Sequence, residues 1–271
     1  MPVNLHFEEK GLEDLYDSIF KRKSVRNYKS ETLPEEALNE INDFVAGAER
    51  LNGDIRTESY IVSEEEIKSL LTVKAPHYLI LFSEEKQDYL TNAGYVLQQL
   101  DLFLSANNIG SCWFGLARPS GEISKKSDLS YAITLAFGRA DEKIHRKKIS
   151  QFKRKSIEEI REFISRKEAA DYEWQKEADK IIEAARLAPS ATNNQPWYFR
   201  VEPNKIHVYQ EKPGLVKRIF YKKMNKIDMG IVMAHLWLAA EHYAKKAEFK
   251  FLEEEKHCAD ASMSYLSTLK F

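Results

Sequence analysis

The segment APSATNNQPWYFRV, residues 188–201, joins two kinds of structure within fourteen residues. A helix running into it must stop at Pro189, which offers no N–H and crowds the preceding turn. Ser190, Thr192, Asn193 and Asn194 form a short polar loop, and a strand begins after Pro196 with Trp197 pointing toward a core. Serine and asparagine side chains both donate and accept hydrogen bonds, so such a loop can grip a ring edge or a sugar hydroxyl. The same residues also suit a turn capped by its own side chains, and chemistry alone leaves both roles open.

The helix entering this segment has a counterpart early in the chain. QKEADKIIEAARLAP places Ala178, Ile181, Ile182 and Ala185 on one face, and PEEALNEINDFVAGAERL does the same with Leu38, Ile41, Val45 and Ala48 after a proline start. Ala48, Arg50 and Leu51 match Ala184, Arg186 and Leu187, each pair 136 positions apart. Two long apolar helices, expected at 90–108 and 227–246, repeat that spacing: Gly94, Val96, Leu100 and Leu102 match Gly230, Val232, Leu236 and Leu238. The pentamer FKRKS occurs at 20–24 and again at 152–156, nearly in step. These coincidences predict an internal duplication: one intertwined domain over 1–271, made of half-repeats 1–151 and 152–271. Two copies do not make a solenoid; they suggest a pseudo-two-fold domain, the single-chain counterpart of a homodimer.

Strands are expected at ESYIVS, HYLILFS, SCWFGLA and SYAITLAFG in the first half, and at WYFRV, KIHVY and AEFKFLE in the second. No steady alternation of strand and helix with glycine-rich turns appears. The fold class is therefore α+β, with mixed or antiparallel sheets packed on the two long helices, which are apolar nearly all round and so belong at the centre.

Bulk composition narrows the function. With 41 basic and 42 acidic side chains the chain has a net charge of -1, so no overall field attracts nucleic acid or an anionic membrane. Cys112 and Cys258 are far apart and lack metal-ligand spacing, and the histidines are dispersed, with His235 and His242 on one helical face but no third ligand. No metal is expected. No apolar run approaches the roughly 18–20 residues that span a bilayer, and the N-terminus lacks a leader pattern. A cytoplasmic protein without membrane association is the expectation. The basic run KIHRKKISQFKRK, 143–155, is the one feature that points to nucleic acid, though aromatics are sparse within it.

The string A-P-S-x-x-N-x-Q-P-W followed by a strand resembles the signature of the FMN-dependent nitroreductase family. Three further elements are similar to that family: RKSVR at 22–26 with Tyr28 after it, ANNIGSCWFGLA at 106–117 after the first long helix, and AFGRADEK with QFKRKSIEEI, where Arg139 and Ala140 replace the usual aromatic and proline. The order departs from the family pattern. RLNGDI stands where the first half would carry the P-S-x-x-N loop, and the second half has Glu158 in place of Arg26 and AEFKFLEE in place of GSCWFGLA.

The resemblance implies a nitroreductase-like fold in which one composite flavin site survives and the other has decayed. It assigns FMN phosphate to Arg22, Arg26 and Arg154, with Lys23 and Ser24 in support, since guanidinium groups bind phosphate through paired donors. It assigns the ribityl chain and ring edge to Ser190 and Asn193, and the flavin N5 region to backbone N–H groups of Phe114, Gly115 and Leu116. The implied activity is two-electron reduction of a nitroaromatic, quinone or related small-molecule acceptor by NAD(P)H, by a ping-pong route in which the flavin carries the chemistry and no side chain acts as acid or base. A monomer suffices on this view, because both halves of the usual dimer are present in one chain. A flavin-binding or scaffold protein of the same fold without turnover is the alternative.

Overall fold

The computed structural model of the chain describes residues 11–69, 73–164, 173–212, 214–244, 246–257 and 261–271. Cys258 lies outside the described residues. The chain divides into two compact units, residues 1–151 and 152–271.

The first unit opens with α1 (Leu12–Ile19) and α2 (Glu35–Gly47), the latter capped by Pro34 with Glu35 and Glu36 in its first turn, where acidic groups favour the helix dipole. Strands β1 (Thr57–Val62), β2 (Ile67–Lys68) and β3 (His77–Ser83) follow, then α3 (Tyr89–Ala106), β4 (Gly110–Trp113), β5 (Arg118–Pro119), the short α4 (Gly121–Ser124) and β6 (Ser130–Gly138). The main sheet has the order β1, β3, β6, β4, antiparallel throughout, and β2 pairs with β5 separately. Every residue of β3 is buried, in keeping with its apolar middle, Tyr78 to Phe82. Residues 90–105 of α3 are all buried as well, so the helix is a core element on every side. Phe44 of α2 stacks on Phe103 of α3, with ring centroids 4.2 Å apart.

The second unit runs α5 (Ile157–Ile160), β7 (Arg161–Phe163), α6 (Glu173–Arg186), β8 (Trp197–Glu202), β9 (Lys205–Glu211), α7 (Leu215–Ala244), β10 (Glu248–Lys250) and β11 (Met263–Lys270). Its sheet has the order β10, β11, β9, β8, β7, and only the β7 and β8 pair is parallel. With β7 set aside, each unit's main sheet follows one plan: two adjacent antiparallel strands, a long buried helix, then an edge strand and a returning strand that slots in beside the second. His235 of α7 is a packed residue, its Nδ1 2.9 Å from the Ala184 carbonyl.

The α+β architecture with antiparallel sheets agrees with the sequence expectation. Three local expectations need correction. The strand expected at SCWFGLA stops at Trp113, because the chain turns where the Ala117 N–H donates to the Phe114 carbonyl at 3.2 Å. The second long helix begins at Leu215, well before the expected 227, since the apolar run on which the expectation rested is only its C-terminal part. The closing strand β11 was not foreseen; its alternating MSYLSTLK is short of apolar residues, and pairing with both β9 and β10 defines it.

Candidate functional site

In the first unit three separated motifs converge. The segment RKSVRNYK lies along β4, where the Val25 N–H donates to the Ser111 carbonyl at 2.9 Å and Ser24 bridges Ser111. It continues along the chain after β6: Tyr28 bridges Ala140, and the Lys29 N–H donates to the Arg139 carbonyl at 2.9 Å. Gly110 permits this approach, since a Cβ there would meet Val25 Cγ1 at 2.8 Å. Tyr28 completes the junction by donating to the Val25 carbonyl at 2.6 Å, and burial holds its hydroxyl protonated.

Charge placement within this junction is uneven. Arg22 is 1% exposed, and its Nε lies 3.0 Å from Asp101 Oδ2 of α3. That approach is off the N–H direction, so Nε makes an ion pair without a well-formed hydrogen bond. Asp101 also accepts from Ser111 Oγ at 2.5 Å and from Gln98 Nε2 at 3.2 Å. Arg146 donates to the Arg22 carbonyl, and burial beside that second guanidinium pushes its pKa down to about 10. Both guanidinium groups thus feel the one buried carboxylate of Asp101.

The remaining first-unit candidates are placed as follows. Lys23 pairs with Glu142 at 2.5 Å, and Glu142 also accepts from the N–H groups of Arg26 and Asn27 at 2.9 and 3.2 Å. Ser24 Oγ accepts from Arg22 Nη2 at 3.4 Å. Arg26 presents its guanidinium to solvent, close enough to Cys112 to oppose the rise that burial gives the thiol's pKa. The Phe114 N–H is taken by the Thr134 carbonyl at 2.9 Å, whereas the N–H groups of Gly115 and Leu116 have no acceptor among the described residues. Leu116 is 61% exposed, an uncommon position for a leucine beside a polar turn.

In the second unit the other FKRKS copy folds onto the loop 188–197. Arg154 donates to Asn193 Oδ1 and, at 3.0 Å, to the Phe152 carbonyl, while Asn193 Nδ2 donates to the Lys153 carbonyl at 2.9 Å. Lys155 N–H donates to Gln195 Oε1 at 2.8 Å. Thr192, Asn193 and Gln195 adopt positive φ, a conformation that asparagine tolerates and that the surrounding bonds enforce for the others. Ser190 Oγ accepts from the Gln195 N–H at 2.9 Å. Beneath the loop, buried Asp228 of α7 receives the Ala191 N–H on both oxygens, at 3.0 and 3.2 Å. Burial pushes its carboxyl pKa up to about 8.

The structure therefore brings Arg22, Lys23, Ser24 and Arg26 together with the first residues of β4, Gly110 to Cys112, and separately joins Arg154 to Asn193 beside Ser190. Sequence reasoning missed Asp101, Arg146 and Asp228. The aspartates carried a signal: Asp101 lies within, and Asp228 at the start of, a long apolar stretch of helix, where a charge needs a reason. Arg146 and Arg154, both within the basic run 143–155, are turned to protein partners rather than displayed along one face.

The chain matches the family described as "Putative TM nitroreductase" over residues 14–240. No curated protein matches it. Among solved structures it is similar to one described as "a putative nitroreductase" from Thermotoga maritima, at 20% identity, covering 99% of this chain and 96% of that one with a TM-score of 0.63. A protein described as an FMN-dependent nitroreductase from Clostridium difficile is 19% identical over 49% of this chain and 92% of its own, TM-score 0.42. Another, a nitroreductase with bound FMN from Desulfitobacterium hafniense, is 14% identical over 53% and 98%, TM-score 0.41.

Proposed function

Because the chain belongs to the nitroreductase family, we propose that it is an FMN-dependent NAD(P)H oxidoreductase that reduces a nitroaromatic, quinone or related electrophile by two electrons. When bound, FMN supplies hydride transfer at its N5 position. The observation that carries this reading is the junction of RKSVR with β4, where solvent-facing Arg26 and buried Arg22 both lie near Cys112; beyond the end of that strand the N–H groups of Gly115 and Leu116 have no acceptor among the described residues. These groups fit an anionic, hydrogen-bond-accepting cofactor. Arg26 supplies paired donors to phosphate, Ser24 a hydroxyl, and the two peptide N–H groups suit the ring's N5 edge.

Other residues take altered roles. Arg22 is buried on Asp101, so its part is to fix Ser24 and add field, not to fork onto phosphate. Lys23 is held by Glu142 and acts likewise through charge. Phe114 contributes through its ring and backbone path, since its N–H is engaged. In the second unit, Ser190 accepts the Gln195 N–H, and Arg154 and Asn193 hold each other and shape the loop. NAD(P)H and the acceptor use the same ring face in turn, so steady-state kinetics follow a ping-pong pattern.

The test is the flavin-to-protein ratio after reconstitution with excess FMN, followed by NAD(P)H oxidation with a quinone. One FMN per chain and turnover are expected; no bound flavin would sink the reading. Replacing Arg26 by Gln removes a charge-assisted contact and should weaken FMN binding about 10- to 100-fold, read by fluorescence titration. A second reading, a flavin-binding or scaffold protein without turnover, is favoured by the internal engagement of Arg22 and of Asn193. Bound FMN that NAD(P)H does not reduce would select it.

A further inference from the structure

The second unit carries another cluster of ionisable side chains, formed by residues outside the proposed flavin site. Glu202 ends β8, His207 lies within β9, and Glu255 sits in the short turn Glu253–His257 that follows β10. In the β8 and β9 register, Arg200 stands opposite His207 and Glu202 opposite Lys205, so these four share the sheet face turned away from Trp197 and Phe199. Thr268 of β11 stands opposite His207 from the other side.

His207 is 1% exposed, yet only one ring nitrogen is accounted for. Its Nδ1 lies 2.8 Å from Thr268 Oγ1, which in turn lies 2.7 Å from the Tyr265 hydroxyl. Nε2 has no hydrogen-bond partner. It faces Glu202 Oε2 at 3.9 Å, too far for a hydrogen bond, and Glu255 Oε2 lies 3.9 Å from Nδ1. One ligand atom from each of Glu202, His207 and Glu255 lies within 4.8 Å of the others. A buried imidazole oriented through Nδ1, with its other nitrogen turned to carboxylate, is the arrangement of a metal-ligating histidine.

We propose that Glu202, His207 and Glu255 bind one divalent transition-metal ion of the zinc type, through His207 Nε2 and an oxygen of each carboxylate. One imidazole nitrogen and two carboxylate oxygens leave a fourth position for solvent, and the two negative charges balance the ion. Mixed nitrogen and oxygen ligation favours zinc or a similar ion over magnesium or calcium. The carboxylates are partly open, at 23% and 12% side-chain exposure, which gives an ion a way in. Tyr209 donates to Glu255 Oε2 at 2.9 Å and fixes that ligand. Arg200 at 4.0 Å from Glu255 and Lys205 at 3.7 Å from Glu202 compete for the same oxygens, so the site is weaker than one lined by thiolates. Bound there, an ion ties the hairpin of β8 and β9 to the segment after β10 and stabilises the unit.

The experiment uses the full chain freed of metal by chelation and titrated with Zn2+ by calorimetry, with unfolding temperature recorded in parallel. One Zn2+ per chain and a raised unfolding temperature are expected, with E202Q/E255Q binding at least tenfold more weakly while its FMN content stays unchanged. No saturable binding, or equal affinity in E202Q/E255Q, overturns the proposal. Should that variant fail to fold, E202Q alone and Co2+ titration of the unaltered chain decide. Ligand-field absorption saturating at one equivalent and lost in E202Q supports the site; the spectrum of the hydrated ion throughout refutes it.

Discussion

At Arg22 the motif residue most suited to phosphate is instead a buried partner of Asp101, and the difference is one of solvation. A guanidinium at 1% exposure requires a compensating charge, and α3 supplies it. Substituting Asp101 by Asn would leave that charge uncompensated beside Arg146. We expect a loss on the order of 3–5 kcal/mol in unfolding free energy, measured by urea denaturation with an unchanged m value. A loss below about 1 kcal/mol would show that the pair contributes no more than a surface contact does. Nothing in RKSVR announced this pairing, because the partner lies in a helix remote in sequence. Arg26 could be read more directly: it follows β-branched Val25, which is buried against Gly110, so its side chain turns outward.

At the level of elements, the loop 188–197 is held from two sides, by the second FKRKS copy and by Asp228 of α7. Asp228 gives this arrangement a pH dependence whose sign is fixed. Its ordinary pKa near 3.8 is raised to about 8 in the folded protein. Between those values the native carboxyl keeps a proton that the unfolded one has released, so stability falls as pH rises through the window and levels off above it. The contribution is on the order of a few kcal/mol. Asp228→Asn, neutral at every pH, should flatten the slope of unfolding free energy between pH 4 and pH 8 relative to the unaltered chain. Parallel profiles for the two proteins would mean that the carboxyl is ionised in the native state. The sequence showed the loop through its prolines and the flanking helix through its periodicity. It did not show that β4 ends at Trp113, since an apolar run continues past it and only the Ala117 to Phe114 turn stops the strand.

For the whole molecule, the match over residues 14–240 and the similarity to the Thermotoga maritima structure over 99% of the chain set the family and fold. We propose in addition that the two units arose by duplication; the common strand plan and the 136-residue spacing of matched positions support this. If both halves of a family dimer are present in one chain, further pairing is unnecessary. Light scattering should then give the mass of one chain, with the flavin ratio at one. A mass twice that would contradict the sufficiency of a monomer, and two flavins per chain would contradict the proposed division between a working and a decayed site. No helix among the described residues is long and apolar enough to cross a membrane.

By itself the sequence determined the α+β class, the two long buried helices and the family motifs, because periodicity, proline and glycine act over a few residues and can be read locally. Tertiary structure alone decided which charges face solvent and which face each other. Arg22 meets Asp101, Asn193 meets Arg154, and Glu202, His207 and Glu255 meet across strands with no ligand spacing in the chain to announce them. The physical reason is that the cost of a charge depends on burial and on its neighbours, and long-range strand and helix packing supplies both.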